Sequence, residues 1–138
     1  MNGQSVNDDI KDGAALLGRM LMATLFVVSG FGKIPGFEGT VGYISHAGLP
    51  FPQLLAALAI LFELGGGIAI AIGWKTRLAA LALALFMVVI TPIFHRFWGL
   101  PPEVAMQQQI HFMKNVAVLG GILVLYAFGP GRYSLDKA

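Results

Sequence analysis

One carboxylate stands where its charge would be hardest to keep. Glu63 lies within LLAALAILFELGGGIAIAIG, residues 54–73, an otherwise apolar stretch. An ionised side chain near the centre of a bilayer costs at least about 2.5–3.5 kcal/mol, and a glutamate stem is too short to carry it to a headgroup. Such a group must turn toward neighbouring helices, where it is either protonated or paired with a cation. Arg19 and Lys114 stand on other apolar stretches at compatible depths. At 1.5 Å of rise per residue each falls within roughly 6–8 Å of Glu63 along the bilayer normal, and both have long stems. The expected site is an Arg19–Glu63–Lys114 network whose surplus positive charge suits an anionic or electron-rich ligand.

The residues around these three repeat at helical spacing. His111, Lys114, Asn115 and Val118 follow i, i+3, i+4, i+7, so three polar groups share one helical face. Arg19, Ala23, Phe26, Gly30 and Lys33 share another. Glu63 shares a third with Ala56, Ala59, Ile60 and Gly67, whose small members permit close helix contact. Plainer uses compete with a ligand site. Arg19 and Lys114 can snorkel to the nearer headgroups, and Glu63 can serve only to fix helix register. Gly65-Gly66-Gly67 and Gly120-Gly121 read as packing notches. His46, His95 and His111 fall in one half of the membrane, but their spacing matches no ligand motif, so neither a metal nor a haem is expected. No Ser, His and Asp spacing suggests a hydrolase triad.

Helices must position these groups. Four apolar runs, about 14–33, 53–73, 76–97 and 109–128, each approach the ~20 residues that span a hydrocarbon core. None shows the alternation of a barrel strand. The composition agrees: in 138 residues the mean hydropathy is +0.75 and only 12% are charged, about half the share of a soluble domain. The net charge of +2 gives no footing for nucleic acid. With no cysteine, disulfides, thiolate ligation and thiol redox chemistry by this chain are excluded.

The connections add detail. FEGTVGYISHAG, residues 37–48, reads as a short interfacial helix. Trp74-Lys75-Thr76 is short enough to force an antiparallel hairpin. Pro92 should kink the third helix, and Pro101 and Pro102 should open a loop after it. Residues 1–13 and 129–138 read as flanking segments, and Asp8, Asp9 and Asp12 against Lys11 are unlike a cleavable signal. Lys11, Lys75, Arg77, Arg132 and Lys137 gather on one side, against Lys33 and Arg96 on the other. The fold class expected is all-α: an antiparallel integral membrane four-helix bundle with both termini cytoplasmic.

Taken in order, several segments resemble the DoxX family of small bacterial inner-membrane proteins. They are Arg19 with SGFGKIPGF (29–37), GLPFP (48–52), FELGGG (62–67), GWKTRLAAL (73–81), HFMKNVAVLGG (111–121) and GPGRYSLD (129–136). The resemblance implies a multi-pass four-helix protein of the inner membrane. It places Arg19, Lys33, Glu63, Lys114 and Asn115 in characteristic segments. It also implies a link to quinone-dependent oxidation, oxidative stress or detoxification of aromatic compounds. No cofactor motif is evident, and a quinone is the ligand the resemblance suggests. The leading expectation is therefore the membrane subunit of a redox system. Glu63, Arg19, Lys114, Asn115, His111 and Lys33 would form its interior site, with a soluble redox partner and a homo-oligomer as its company. On its own the chain is not expected to be an enzyme. Two readings of another class stay open: a proton-coupled transporter or exporter component, and a non-catalytic membrane scaffold.

Overall fold

Apolar runs that lie in lipid must satisfy their own backbone N–H and C=O groups, and this chain does so with helices. The computed structural model describes residues 3–137 and contains α1 (Gly3–Gly32), α2 (Phe37–His46), α3 (Pro52–Ile72), α4 (Thr76–Phe94) and α5 (Pro102–Phe128). Among the described residues there is no strand. α1, α3, α4 and α5 are long and apolar enough to cross a membrane. α2 has 10 residues and is the short helix expected between the first two spans. Large side chains such as Leu21, Val28, Leu85 and Val124 are exposed around the bundle, as a lipid-facing surface requires.

Three helix ends differ from the sequence reading. α1 begins at Gly3, so Asp8, Asp9 and Asp12 belong to the helix rather than to a separate segment. Arg132 from the tail pairs with Asp9 at 2.7 Å and Asp12 at 3.6 Å. α5 begins at Pro102 instead of near residue 109. Proline is well suited to a first helical turn, so the Pro101-Pro102 pair starts a helix directly. α4 stops at Phe94, before Phe97, and its last turn is closed by the His95 N–H on Thr91 O at 3.0 Å. Residues 1, 2 and 138, at the extremes of the two expected flanking segments, lie outside the described residues.

The core lies toward the α3–α4 turn and joins Ala23, Phe26, Ile70, Leu83, Met87 and Ile122. Glycines bring the backbones together. A Cβ on Gly30 would stand 2.7 Å from the Leu64 nitrogen, and one on Gly67 would stand 3.1 Å from the Val27 nitrogen. Gly66 seats Leu83, and Gly121 seats the tip of Met22. Gly65 and Gly120 are not such notches: a Cβ on Gly65 would meet only Leu61 of its own helix, and one on Gly120 nothing within 4 Å.

α3 is not one uniform rod. Leu61–Gly65 form a π-helical turn. Beyond it, Gly66–Ile72 pack against α1 and α4. Before it, no Cα of Pro52–Ile60 comes within 8 Å of a Cα of α4, and that half leans on α2 instead. α3 and α4 therefore diverge from the π turn onward. A glycine run weakens the helical hydrogen-bond ladder at this junction, which is where a widened turn is least costly.

Candidate functional site

The divergence leaves a chamber of about 270 Å³ bounded by all five helices. Its centre is Glu63, 6% exposed and carried by the π turn. Such turns recur at functional sites. Glu63 Oε2 is 2.8 Å from Lys33 Nζ. Ser29 Oγ donates to Glu63 Oε1 at 3.0 Å, and Lys33 Nζ donates to Ser29 Oγ at 2.8 Å. The three groups close a ring that holds both carboxylate oxygens. Lys33 follows α1 directly, and its stem reaches inward along Ser29, one turn earlier. The close approach that Gly30 permits sets Ser29 opposite Glu63.

The α4–α5 wall adds more polar groups. Buried Asn115 donates from Nδ2 to Thr91 Oγ1 at 3.2 Å, which fixes its amide. His95 Nδ1 lies 3.1 Å from Gln108 Oε1; with that oxygen accepting, Nδ1 carries the proton and Nε2 is left free in the neutral ring. His95 and His111 stack loosely, ring centroids 5.2 Å apart, and both line the chamber. Lys114 lines it too, from the exposed side of α5. His46 is exposed at the end of α2 and is not part of the lining. Among the described residues no three His, Cys, Asp or Glu side chains group as metal ligands.

The structure brings together Lys33, Glu63, His111, Lys114 and Asn115, and it separates Arg19 from them. Arg19 is 2% exposed, yet its partners are backbone carbonyls. Nη1 donates to Ile70 O at 3.5 Å, and Nη2 donates to Tyr133 O. Ile70 lies two turns beyond Glu63, in the last turn of α3, where its carbonyl also accepts from the Gly73 N–H at 3.2 Å. The expected Arg19–Glu63 pair is thus replaced by a Lys33–Glu63 pair, because Arg19 turns to the Ile70 and Tyr133 carbonyls near the α3–α4 turn and not to the carboxylate. The sequence reading counted Lys33 among the charges at one end of the bundle and, by resemblance, among the interior site residues, without pairing it with Glu63. The spacing Ser29-x-x-x-Lys33, which aligns both side chains, was the available signal for its inward reach.

The other end of the bundle is closed by the tail. Asp136 accepts from the backbone N–H of Lys75 at 2.6 Å and of Thr76 at 2.8 Å, capping α4 from a distance in sequence. Hydrogen bonding from Thr76 holds the Asp136 carboxyl below its ordinary range, helped by the Lys75 N–H and the Arg19 charge. Leu135 N and Asp136 N donate to Ile72 O and Gly73 O at 3.1 and 2.7 Å. Arg77 reaches Ala127 O at 3.4 Å. Hydrogen bonds to Tyr133 and then Asp9 raise the Arg132 pKa.

The family model for DoxX matches residues 14–96, the stretch that carries Arg19, Lys33 and Glu63. The chain belongs to the DoxX family. Among DoxX relatives, the inner membrane protein YqjF of Escherichia coli (strain K12) is 39% identical over 128 residues, covering 93% of each chain. The inner membrane protein YphA of the same strain is 34% identical over 122 residues, covering 88% of this chain and 87% of its own. CatD of Bacillus subtilis (strain 168), whose name assigns it provisionally as an oxidoreductase, is 31% identical over 83 residues, or 60% of each chain. No solved structure matches this DoxX chain. With four helices able to span and such relatives, it is a multi-pass inner-membrane protein.

Proposed function

We propose that this DoxX protein is the membrane subunit of a redox system, and that its chamber holds the head of a quinone-like or small aromatic molecule. The observation that carries the reading is the Lys33–Glu63 ion pair at 2.8 Å on the wall of a cavity inside the spans. Charged groups at that depth are costly and mark ligand or proton paths. A lysine has three N–H donors; Ser29 and Glu63 take two, which leaves one for a carbonyl oxygen in the chamber. His111, Lys114 and Asn115 add donors from α5. Similarity to CatD supports the redox class.

Reduction of a quinone to a hydroquinone takes two electrons and two protons. The Lys33 ammonium gives one proton to a developing phenolate oxygen, and Lys114 or His111 gives the second. The electrons come from a soluble redox partner protein, since the chain has no cysteine thiol to supply them. Glu63 keeps Lys33 oriented until the transfer. The test is binding of a short-chain benzoquinone to the protein in lipid nanodiscs. Lys33→Gln and Glu63→Gln should each weaken binding at least tenfold with helical content unchanged. Equal binding by all three proteins rejects the reading. Glu63-dependent flux of a small molecule in proteoliposomes would favour the transporter class instead.

The same reading places both termini in the cytoplasm, because Lys75, Arg77, Arg132 and Lys137 gather at the tail end. The cysteine-free chain makes this testable with His46→Cys and Lys137→Cys: an impermeant thiol reagent should label only the first in cells with a permeabilised outer membrane.

A further inference from the structure

A second cavity of about 340 Å³ opens beside the chamber, in the wedge where α3 and α4 diverge under α2. All twelve residues that line it are apolar. Ile44, Ala59, Phe86, Ile90 and Phe94 line both cavities, so the two share one wall and differ sharply in character. Groove residues such as Leu58, Phe62, Leu85 and Val89 are exposed on the outer face of the bundle, so in a membrane this groove opens to lipid. The chamber is covered differently. α2 lies over it through Thr40, Tyr43 and Ile44. Tyr43 stacks on Phe94 with centroids 5.2 Å apart and donates to Phe94 O at 3.3 Å.

From this arrangement we infer that the ligand is an amphiphile, with a small polar head in the chamber and a long apolar tail in the α3–α4 groove, and that it enters sideways from the bilayer. The inference rests on the proposed ligand role of the chamber and adds the class of ligand and its route. Three observations support a tail rather than a free small molecule. The larger cavity offers no hydrogen-bonding side chain, so a wholly polar ligand gains nothing there. It adjoins the head site directly, across a shared wall whose smallest residue is Ala59. The aromatic rings of Phe86 and Phe94 stand at the boundary, where a flat head group meets its tail.

The experiment uses two benzoquinones, one without a tail and one with a polyisoprenoid tail bearing a diazirine, added to the full chain in nanodiscs. Photolysis followed by peptide mass spectrometry should place the tail label on Leu58, Phe62, Leu85 and Val89. Excess unlabelled tailed quinone should remove it. Ile93→Trp, at a groove residue outside the chamber lining, should abolish labelling at these positions while the tail-less quinone still binds as before. Leu55→Trp, a second obstruction confined to the groove, should do likewise if Ile93→Trp does not fold. Label spread evenly over lipid-facing residues such as Leu21 and Val124, or left unchanged by both obstructions, overturns the tail site but leaves the chamber reading standing. Failure of both quinones to bind overturns the two together.

Discussion

The two ends of this bundle spend their charges in different ways. At the tail end Arg19, Asp136, Arg132 and Arg77 meet backbone groups or surface acids, and no ligand is needed to satisfy them. At the chamber end Lys33 and Glu63 are also paired, but the pair lines a cavity within the spans, and among the described residues Lys114 lines it with no ion pair. Burial does not separate the two cases, since Arg19 is 2% and Glu63 6% exposed. What separates them is the partner. A guanidinium that caps a helix end completes the fold. A pair beside empty volume keeps donors in reserve for a ligand. An intramembrane cation is thus informative about function only once its partners are known.

The comparison breaks most visibly at Arg19. Arg19→Met removes the buried guanidinium that joins Ile70 O to Tyr133 O and so leaves the tail unclamped. The expected cost is about 3–5 kcal/mol, read as a large fall in the thermal midpoint in detergent. Arg19→Lys should restore little, because an ammonium lacks the fork that spans two carbonyls. A folded, fully stable Arg19→Met protein would return Arg19 to the list of ligand-site candidates.

At the chamber end stability and function should come apart. Lys33→Met leaves the Glu63 carboxylate without its cation and should cost about 1–3 kcal/mol. Adding Glu63→Leu should recover much of that loss, with a coupling energy of about 1–3 kcal/mol in the double-mutant cycle. Quinone binding should stay lost in the single and the double variant alike. Recovery of binding in the double variant would mean that the pair is only a structural pin. A smaller effect is expected at Gly30. The Cβ of Gly30→Ala would meet the Leu64 nitrogen at 2.7 Å and push α1 off the π turn, at about 1–2 kcal/mol. Binding should weaken with it, because Ser29 moves away from Glu63.

The sequence carried the helical architecture well, and for a physical reason. A span needs an apolar run of fixed length, and inward positions recur at fixed spacing; Arg19, Ala23, Phe26 and Gly30, read as one face, are the buried residues of α1. Partner choice was harder. Depth along the normal placed Arg19, Glu63 and Lys114 at similar heights, but it carries no information on azimuth or on the helix-end carbonyls that compete for a guanidinium. The π turn left no mark beyond its glycines. The tail's role as a cap on α4 depends on contacts some 60 residues apart, which no local pattern encodes.

The smallest effect expected is a pH dependence confined to the tail end. The Asp136 carboxyl sits below the ordinary carboxylate range because hydrogen bonds from Thr76 and the Lys75 N–H favour its ionised form. A depressed carboxylate contributes stability that is fully present above the unfolded value and is lost as the pH falls through the folded one. The cap should therefore hold at neutral pH and release only below about pH 4, at about 1 kcal/mol or less for a partly exposed carboxyl. Hydrogen exchange at the Lys75 and Thr76 amides should accelerate in acid beyond the change seen at neighbouring helix-end amides, and Asp136→Asn should raise their exchange at pH 7 and flatten the acid response. If these amides keep their protection in Asp136→Asn at every pH, the carboxylate is not the cap. The tail end would then owe its closure to Arg19 and the backbone bonds of Leu135 and Asp136 alone.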